Sequence, residues 1–266
     1  MIWTGRYVLA LEPAPSAEDL GWTAGRGTTQ QALCGDLVLA TKAFAKQYSI
    51  PLRTFHARFN FAKDTAALFV SRIPKSLLAE LTVNGIPVGR EMHTLNQHTM
   101  RMRLGSLEYV FQYAEFATTD LFSTQRRAYI ARRLNGPSMT PFDMPTPAPE
   151  IKTMGQWSLS NPLGKGSEGR VFLASNARNE VVAVKVIERN ARTVDRINGE
   201  IARYREVTDL AKDDDNGQRI VRLKEIIYPG GEANFSSGLV FDQVGLVIEP
   251  MAPTTLDSII RNADVG

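Results

Sequence analysis

Cysteine occurs once in 266 residues, at Cys34, and histidine three times. One thiol closes no internal disulfide and builds no thiolate metal cluster, so stability has to come from packing, and a reducing compartment fits. His93 and His98 have no Cys or carboxylate at metal-ligand spacing, and no metal site made wholly of side chains is expected. Charge of one sign is also scarce: 31 Lys and Arg against 28 Asp and Glu leave +3, too mild a bias to imply direct nucleic-acid binding. No run approaches the roughly 20 apolar residues of a membrane span. The opening MIWTGRYVLALEPAP lacks a long apolar core. Cytoplasm or nucleus, with no membrane partner, is the expectation. No internal repeat stands out.

What is present is the composition of a globular protein, 43% hydrophobic and 22% charged, in a chain long enough for about two domains. The richest stretch is LGKGSEGRVFLASNARNEVVAVK, from Leu163 to Lys185. Gly164, Gly166, Gly169 and Val171 spell G-x-G-x-x-G-x-V, and the run ends in V-A-V-K. Two β-rich segments, VFLA and EVVAVKVI, flank the polar SNARN, which predicts an antiparallel hairpin. The rival for such glycines, the dinucleotide fingerprint, needs a helix straight after them, whereas β-branched and aromatic residues follow here. Glycines let backbone approach a polyphosphate, and Lys185 on the next strand places one cation beside it. Beyond it, Val194, Ile197, Ile201 and Tyr204 recur at helical spacing around Glu200.

This stretch resembles the small lobe of a eukaryotic protein kinase. The resemblance implies an antiparallel sheet plus one αC-like helix, with ATP held by Leu163, Gly164, Lys165, Gly166, Ser167, Gly169, Val171, Ala183 and Lys185. Glu200 would pair with Lys185, the two forming the catalytic pair. QRIVRLKEIIYP and GLVIEPM resemble the completing strands, with Ile248 at the gate of the pocket and Glu249 to Met251 as the hinge that holds adenine through main-chain groups. Glu168 stands at the loop tip where the family commonly has an aromatic, which puts a negative charge near the phosphates. The family's H-R-D…N loop and metal-binding D-F-G occur nowhere in the sequence. The magnesium ligands of a complete kinase are therefore not among these residues, and the chain alone is expected to be inert and a fragment or truncated form.

Residues 1–116 read as short strands broken by turns: YVLAL, GDLVLA, RTFHARFNF, AALFVSR, AELTVNG, RMRLG and LEYVFQY, which suggest a β-sandwich. Gly25-Arg26, GDLVL, FHARF around His56, Val83-Asn84-Gly85 and the segment from Leu95 to Gly105 resemble, in order, pieces of a forkhead-associated (FHA) domain, a phosphothreonine-reading sandwich. The overall class is thus β-rich, α+β: an FHA-like sandwich followed by a kinase-like lobe. Arg26 and Arg53 are the candidate phosphopeptide-binding residues, since phosphate needs charge-assisted donors. Arg53 and Thr54 replace the family's serine and arginine, and Ala79 falls where its peptide-orienting Asn belongs. His56 is expected to brace the loop. A sandwich kept for docking or dimerising is the other reading.

Residues 117–155 join the two parts. TTDLFSTQRRAYIARRL predicts a helix with a solvated basic face carrying Arg126, Arg127, Arg132 and Arg133, or a nuclear-localisation or acidic-partner patch, stopped by Asn135-Gly136-Pro137. PSMTPFDMPTPAPE predicts an extended linker, with Thr140-Pro141 and Thr146-Pro147 as acceptors whose phosphate would dock on a basic face. Residues 156–266 form the kinase-like lobe. The expectation is the ATP-binding part of a serine/threonine protein kinase acting on protein substrates in checkpoint, DNA-damage or meiotic signalling. The alternative is a non-catalytic phosphopeptide-binding scaffold with a vestigial lobe.

Overall fold

The structure, a computed structural model, describes residues 7–11, 21–28, 35–73, 80–89, 91–133, 144, 146–147, 152–165, 169–212, 220–230 and 242–251. The chain divides into two compact units, residues 1–150 with 177–179, and residues 151–176 with 180–266. The protein is β-rich: fifteen strands in three sheets and three α-helices among the described residues.

In the first unit β1 (Trp22–Arg26), β2 (Leu37–Ala40), β3 (Ala57–Phe61), β4 (Leu68–Arg72) and β7 (His93–Thr94) form one sheet in the order β2-β1-β3-β4-β7. The second, in the order β6-β5-β8-β9, comprises β5 (Leu81–Val83), β6 (Ile86–Pro87), β8 (Thr99–Leu104) and β9 (Leu107–Gln112). Among the described strands, only β1 and β2 pair in parallel. β8 shows how sequence selects the face: Met100, Met102 and Leu104 are buried while Thr99, Arg101 and Arg103 between them are exposed. Those three meet Trp22, Phe59, Phe61, Leu68 and Val70 of the other sheet in one core. Each such side chain contributes about 1.5–3 kcal/mol when fully buried. The β5–β6 turn is fixed by Asn84 and Gly85, both at positive φ (49° and 80°), the geometry that Asn-Gly adopts most readily.

Helix α1 (Lys42–Gln47) starts on Thr41, whose hydroxyl accepts the Phe44 N–H at 3.2 Å. After a 3-10 turn (Glu115–Thr118), α2 (Asp120–Arg133) packs on the sandwich: Tyr129 and Ile130 join its core, and Tyr129 stacks on Trp22 at 5.6 Å.

Several expectations are corrected. Tyr7 to Ala10 form no strand; the Tyr7 hydroxyl donates to the Val38 carbonyl at 2.7 Å and its ring meets Tyr109 edge-on at 6.2 Å, so side chains hold the segment. The FHARF strand begins only at Ala57, and Arg53 to His56 lie in the loop before it. Trp22–Arg26 is a strand despite its Gly and Arg, because two neighbours sandwich it and tertiary pairing outweighs propensity. Arg126 does not belong to a solvated face: it is 2% exposed, with its guanidinium 6.0 Å from the Phe122 ring, while Arg127 and Arg132 are exposed. Met144 and Thr146 are buried in the first unit rather than in an extended linker.

The second unit is one sheet, β10-β11-β12-β13-β15-β14, antiparallel throughout: β10 (Lys152–Met154), β11 (Trp157–Lys165), β12 (Arg170–Ser175), β13 (Val181–Arg189), β14 (Arg222–Ile227) and β15 (Asp242–Glu249). Helix α3 (Val194–Lys212) covers one face. Along β13, Val182 and Val184 turn to a core with Trp157 and Val247, whereas Ala183 and Ile187 turn to Ile197, Ile201 and Tyr204 of α3.

Candidate functional site

The period of two along β13 decides where Lys185 goes. Residues 183, 185 and 187 share a face, and that face packs on α3. On α3 the apolar stripe Ile197, Ile201 and Tyr204 points back at the sheet, and Glu200 lies one residue from Ile201 and one turn from Tyr204. The Lys185 ammonium donates to Glu200 Oε1 at 2.6 Å, with 18% and 19% of the two side chains exposed. Tyr204 stands beside the pair; burial, aided by the Glu200 charge, pushes its phenol pKa up against an opposing effect of Lys185.

A cross-strand row runs through the site. Gly164 of β11 opposes Val171 of β12, Val171 opposes Lys185, and Lys185 opposes Leu246 of β15. Ala183 opposes Ile248 one step along. Directly opposed residues share a face, so Gly164, Val171, Ala183, Lys185 and Ile248 line one side of the sheet. Leu163 of β11 is exposed, and Lys165 enters through its backbone pairing with Arg170. Gly166, Ser167 and Glu168 lie outside the described residues. The glycine segment therefore leads into a paired strand, β12, and not into a helix.

The two described glycines differ. A Cβ on Gly169 would come within 2.3 Å of the Val186 carbonyl oxygen, so this position is set by strand packing. No atom of the described residues lies within 4 Å of a Cβ on Gly164, which leaves space among them beside the backbone next to Val171. One face of the sheet thus carries open backbone at Gly164, the apolar side chain of Val171 and the ion-paired ammonium of Lys185. At the far end of β15 the Glu249 carboxylate accepts from Lys224 at 2.9 Å and lies 3.6 Å from Arg222. The hydrogen bond to Glu249 is the main reason the Lys224 pKa is raised. Met251 is half-buried just beyond, after a cis Glu249-Pro250 bond.

In the first unit the structure brings Arg26 and Arg53 together. The Arg26 N–H donates to the Arg53 carbonyl at 2.7 Å, and a Cβ on Gly25 would meet the Thr54 carbonyl oxygen at 2.1 Å. His56, fully buried, braces this junction: its N–H donates to Ala24 O at 2.8 Å and its Nε2 lies 2.9 Å from Glu80 O. Its Nδ1 accepts the Arg53 N–H at 3.5 Å. Those partners call for the neutral ring with the proton on Nε2. Burial lowers its pKa, the Glu80 bond opposes that, and the Arg72 and Arg53 charges lower it further. Ala79 lies outside the described residues.

No protein-family model matches this chain, and no curated protein matches it.

Sequence reasoning passed over two contacts that frame the second unit. Trp157, fully buried, donates its Nε1–H to Glu225 Oε2 at 2.9 Å, and Glu180 lies 3.6 Å from Lys224 on the same sheet as Glu249. The opposite charges of Glu180, Lys224 and Glu249 were the available signal; which strands adjoin was not.

Proposed function

We propose that the second unit binds ATP as the small lobe of a serine/threonine protein kinase, and that the first unit is an FHA-like module for recognising phosphothreonine proteins. The observation that carries the first half is the Lys185–Glu200 pair, set on the same sheet face as the open Gly164 backbone. In this reading Lys185 aligns the phosphates, Glu200 fixes Lys185, the glycine segment covers the nucleotide, and Val171 and Ala183 flank the adenine. Main-chain groups of Glu249 and Met251 receive its edge. Bound ATP with Mg2+ supplies the transferable phosphoryl group. The described residues hold no cluster of three or more His, Cys, Asp or Glu suited to a metal.

The second half rests on Arg26 and Arg53, held adjacent by the backbone bond between them and braced by His56. Protein substrates and a checkpoint-type role follow from the family resemblance alone, and a nuclear or cytoplasmic site of action from the single cysteine and the lack of a long apolar run. A scaffold that binds without transferring phosphate is the alternative.

Calorimetric titration with a non-hydrolysable ATP analogue and Mg2+ tests the proposal. Saturable binding by the wild-type chain that Lys185→Met weakens at least about tenfold supports it. Absence of saturable binding, or equal binding by both chains, defeats it. A phosphothreonine peptide titration, with Arg26→Ala as control, tests the first unit separately.

A further inference from the structure

Lys224 stands behind the candidate site rather than in it. Along β14 the pairing with β15 slips: Leu223 opposes Ile248 but Glu225 opposes Val247, so Lys224 is the extra residue of a β-bulge. Leu223 and Ile248 belong to the core under α3, on the face that carries Lys185, whereas Val247 packs with Trp157 on the other face. Glu225, opposite Val247, shares that far face, and its carboxylate takes the Trp157 Nε1–H at 2.9 Å. Glu249 follows Ile248 by one residue and so turns to the far face as well.

The bulge lets Lys224 join them. Its ammonium donates to Glu249 Oε2 at 2.9 Å, lies 3.6 Å from Glu180 Oε2 and sits 5.9 Å from the centroid of the Trp157 ring. Glu180 is itself held, since its Oε2 accepts a side-chain N–H of Asn176 at 2.8 Å. Arg222, directly opposite Glu249 in the register, adds a second cation at 3.6 Å. One lysine thus ties the end of β15 to β11 and to the residue that precedes β13.

We infer that Lys224 is a positioning residue for nucleotide binding, which from the face of the sheet away from Lys185 fixes the end of β15 and with it the main-chain groups of Glu249 and Met251. This rests on the reading of the second unit as an ATP-binding lobe. Ion pairs this open to water are weak singly, but here one ammonium neutralises two carboxylates on different segments. Without it the two acids repel each other, and among the described residues only Arg222 stays on Glu249. The strand end then loosens where a carbonyl and an N–H have to meet the amino donor and ring acceptor of an adenine edge, and hydrogen bonds weaken steeply once misaligned.

The test uses the full chain as wild type, Lys224→Met and Lys224→Arg. Backbone amide order parameters, measured without nucleotide, are expected near about 0.85 at Glu249 and Met251 in the wild type and below about 0.6 in Lys224→Met, with Val184 rigid in both. Calorimetric titration then compares the non-hydrolysable ATP analogue with the same analogue built on plain purine, which lacks the amino donor. The wild type should prefer adenine at least about tenfold, and Lys224→Met should narrow that preference to about twofold or less. Lys224→Arg, which keeps the charge, should restore most of it. Unchanged order parameters, a Val184 amide loosened to the same degree, a preference that survives Lys224→Met, or an arginine no better than methionine overturns the inference and leaves the nucleotide reading standing. So does a wild type that binds both analogues equally. A wild type that binds neither defeats the nucleotide reading and the positioning role together.

Discussion

The Lys185 ammonium and the Glu200 carboxylate meet at 2.6 Å across fifteen residues, one projecting from a strand and the other from the helix laid over it. Both are largely withdrawn from water, so each depends on the other. Lys185→Met should leave Glu200 uncompensated and lower stability by about 1–2 kcal/mol, less than a fully buried pair would lose because water still reaches both groups. Glu200→Gln keeps a hydrogen bond and should cost less than Lys185→Met. Urea unfolding of the two single variants and the double variant gives their coupling; additive costs would mean that the contact has no energetic content.

Gly169 and Gly199 should respond to alanine with opposite signs. At Gly169 the new methyl meets the Val186 backbone oxygen, which cannot yield without moving β13, and a loss of about 2 kcal/mol or more is expected. At Gly199, inside α3, nothing lies within 4 Å and the helix gains about 0.5–1 kcal/mol. Thermal unfolding of the two variants measures both signs at once.

His56 predicts a pH dependence. Its folded pKa lies below the ordinary value of about 6.5, so the unfolded chain binds the proton more readily. Its contribution is fully present above about 6.5 and is lost as pH falls from there through the lower folded value. Burial lowers the His93 pKa too, so it adds to the same window. Denaturant unfolding from pH 8 to pH 5 should show falling stability, with a shallower slope for His56→Gln. An unchanged slope would remove His56 from the account.

Trp157→Phe should cost about 1–2 kcal/mol. The variant loses part of the buried ring and leaves Glu225 Oε2 only the weaker 3.3 Å bond from Gln156 in place of the indole N–H that it accepts at 2.9 Å. Glu225→Gln, which can still accept, should cost less in the same denaturation experiment.

At the alkaline end, Tyr109 should titrate near 12, held up by burial and by Tyr7. The stability it supplies is intact below about 10 and declines as pH rises from there towards 12. Absorbance of the tyrosinate band against pH gives the value directly, and Tyr7→Phe should lower it.

The hairpin around SNARN, the strand ending in V-A-V-K, the helix with Ile197 and Ile201, and the alternation of RMRL were legible because each is a local period that burial on one side enforces. Trp22–Arg26 and Lys152–Met154 were not, since their local residues do not favour strands and only neighbouring strands make them so. The burial of Thr146 was not legible for the same reason. A proline-rich stretch carries no local sign that a backbone N–H at Leu68 will be waiting for its hydroxyl.

The amino-acid order by itself determined which face Lys185 shares with Ala183 and Ile187, because side chains alternate along any strand. It also set Glu200 on the apolar stripe of its helix. Only the tertiary structure decided that the helix would lie over that face, that Arg26 and Arg53 would be joined by one backbone hydrogen bond, and that Thr146 would be enclosed. Those are pairings between distant segments, fixed by packing and by the need to satisfy buried polar groups, which no short stretch of sequence contains.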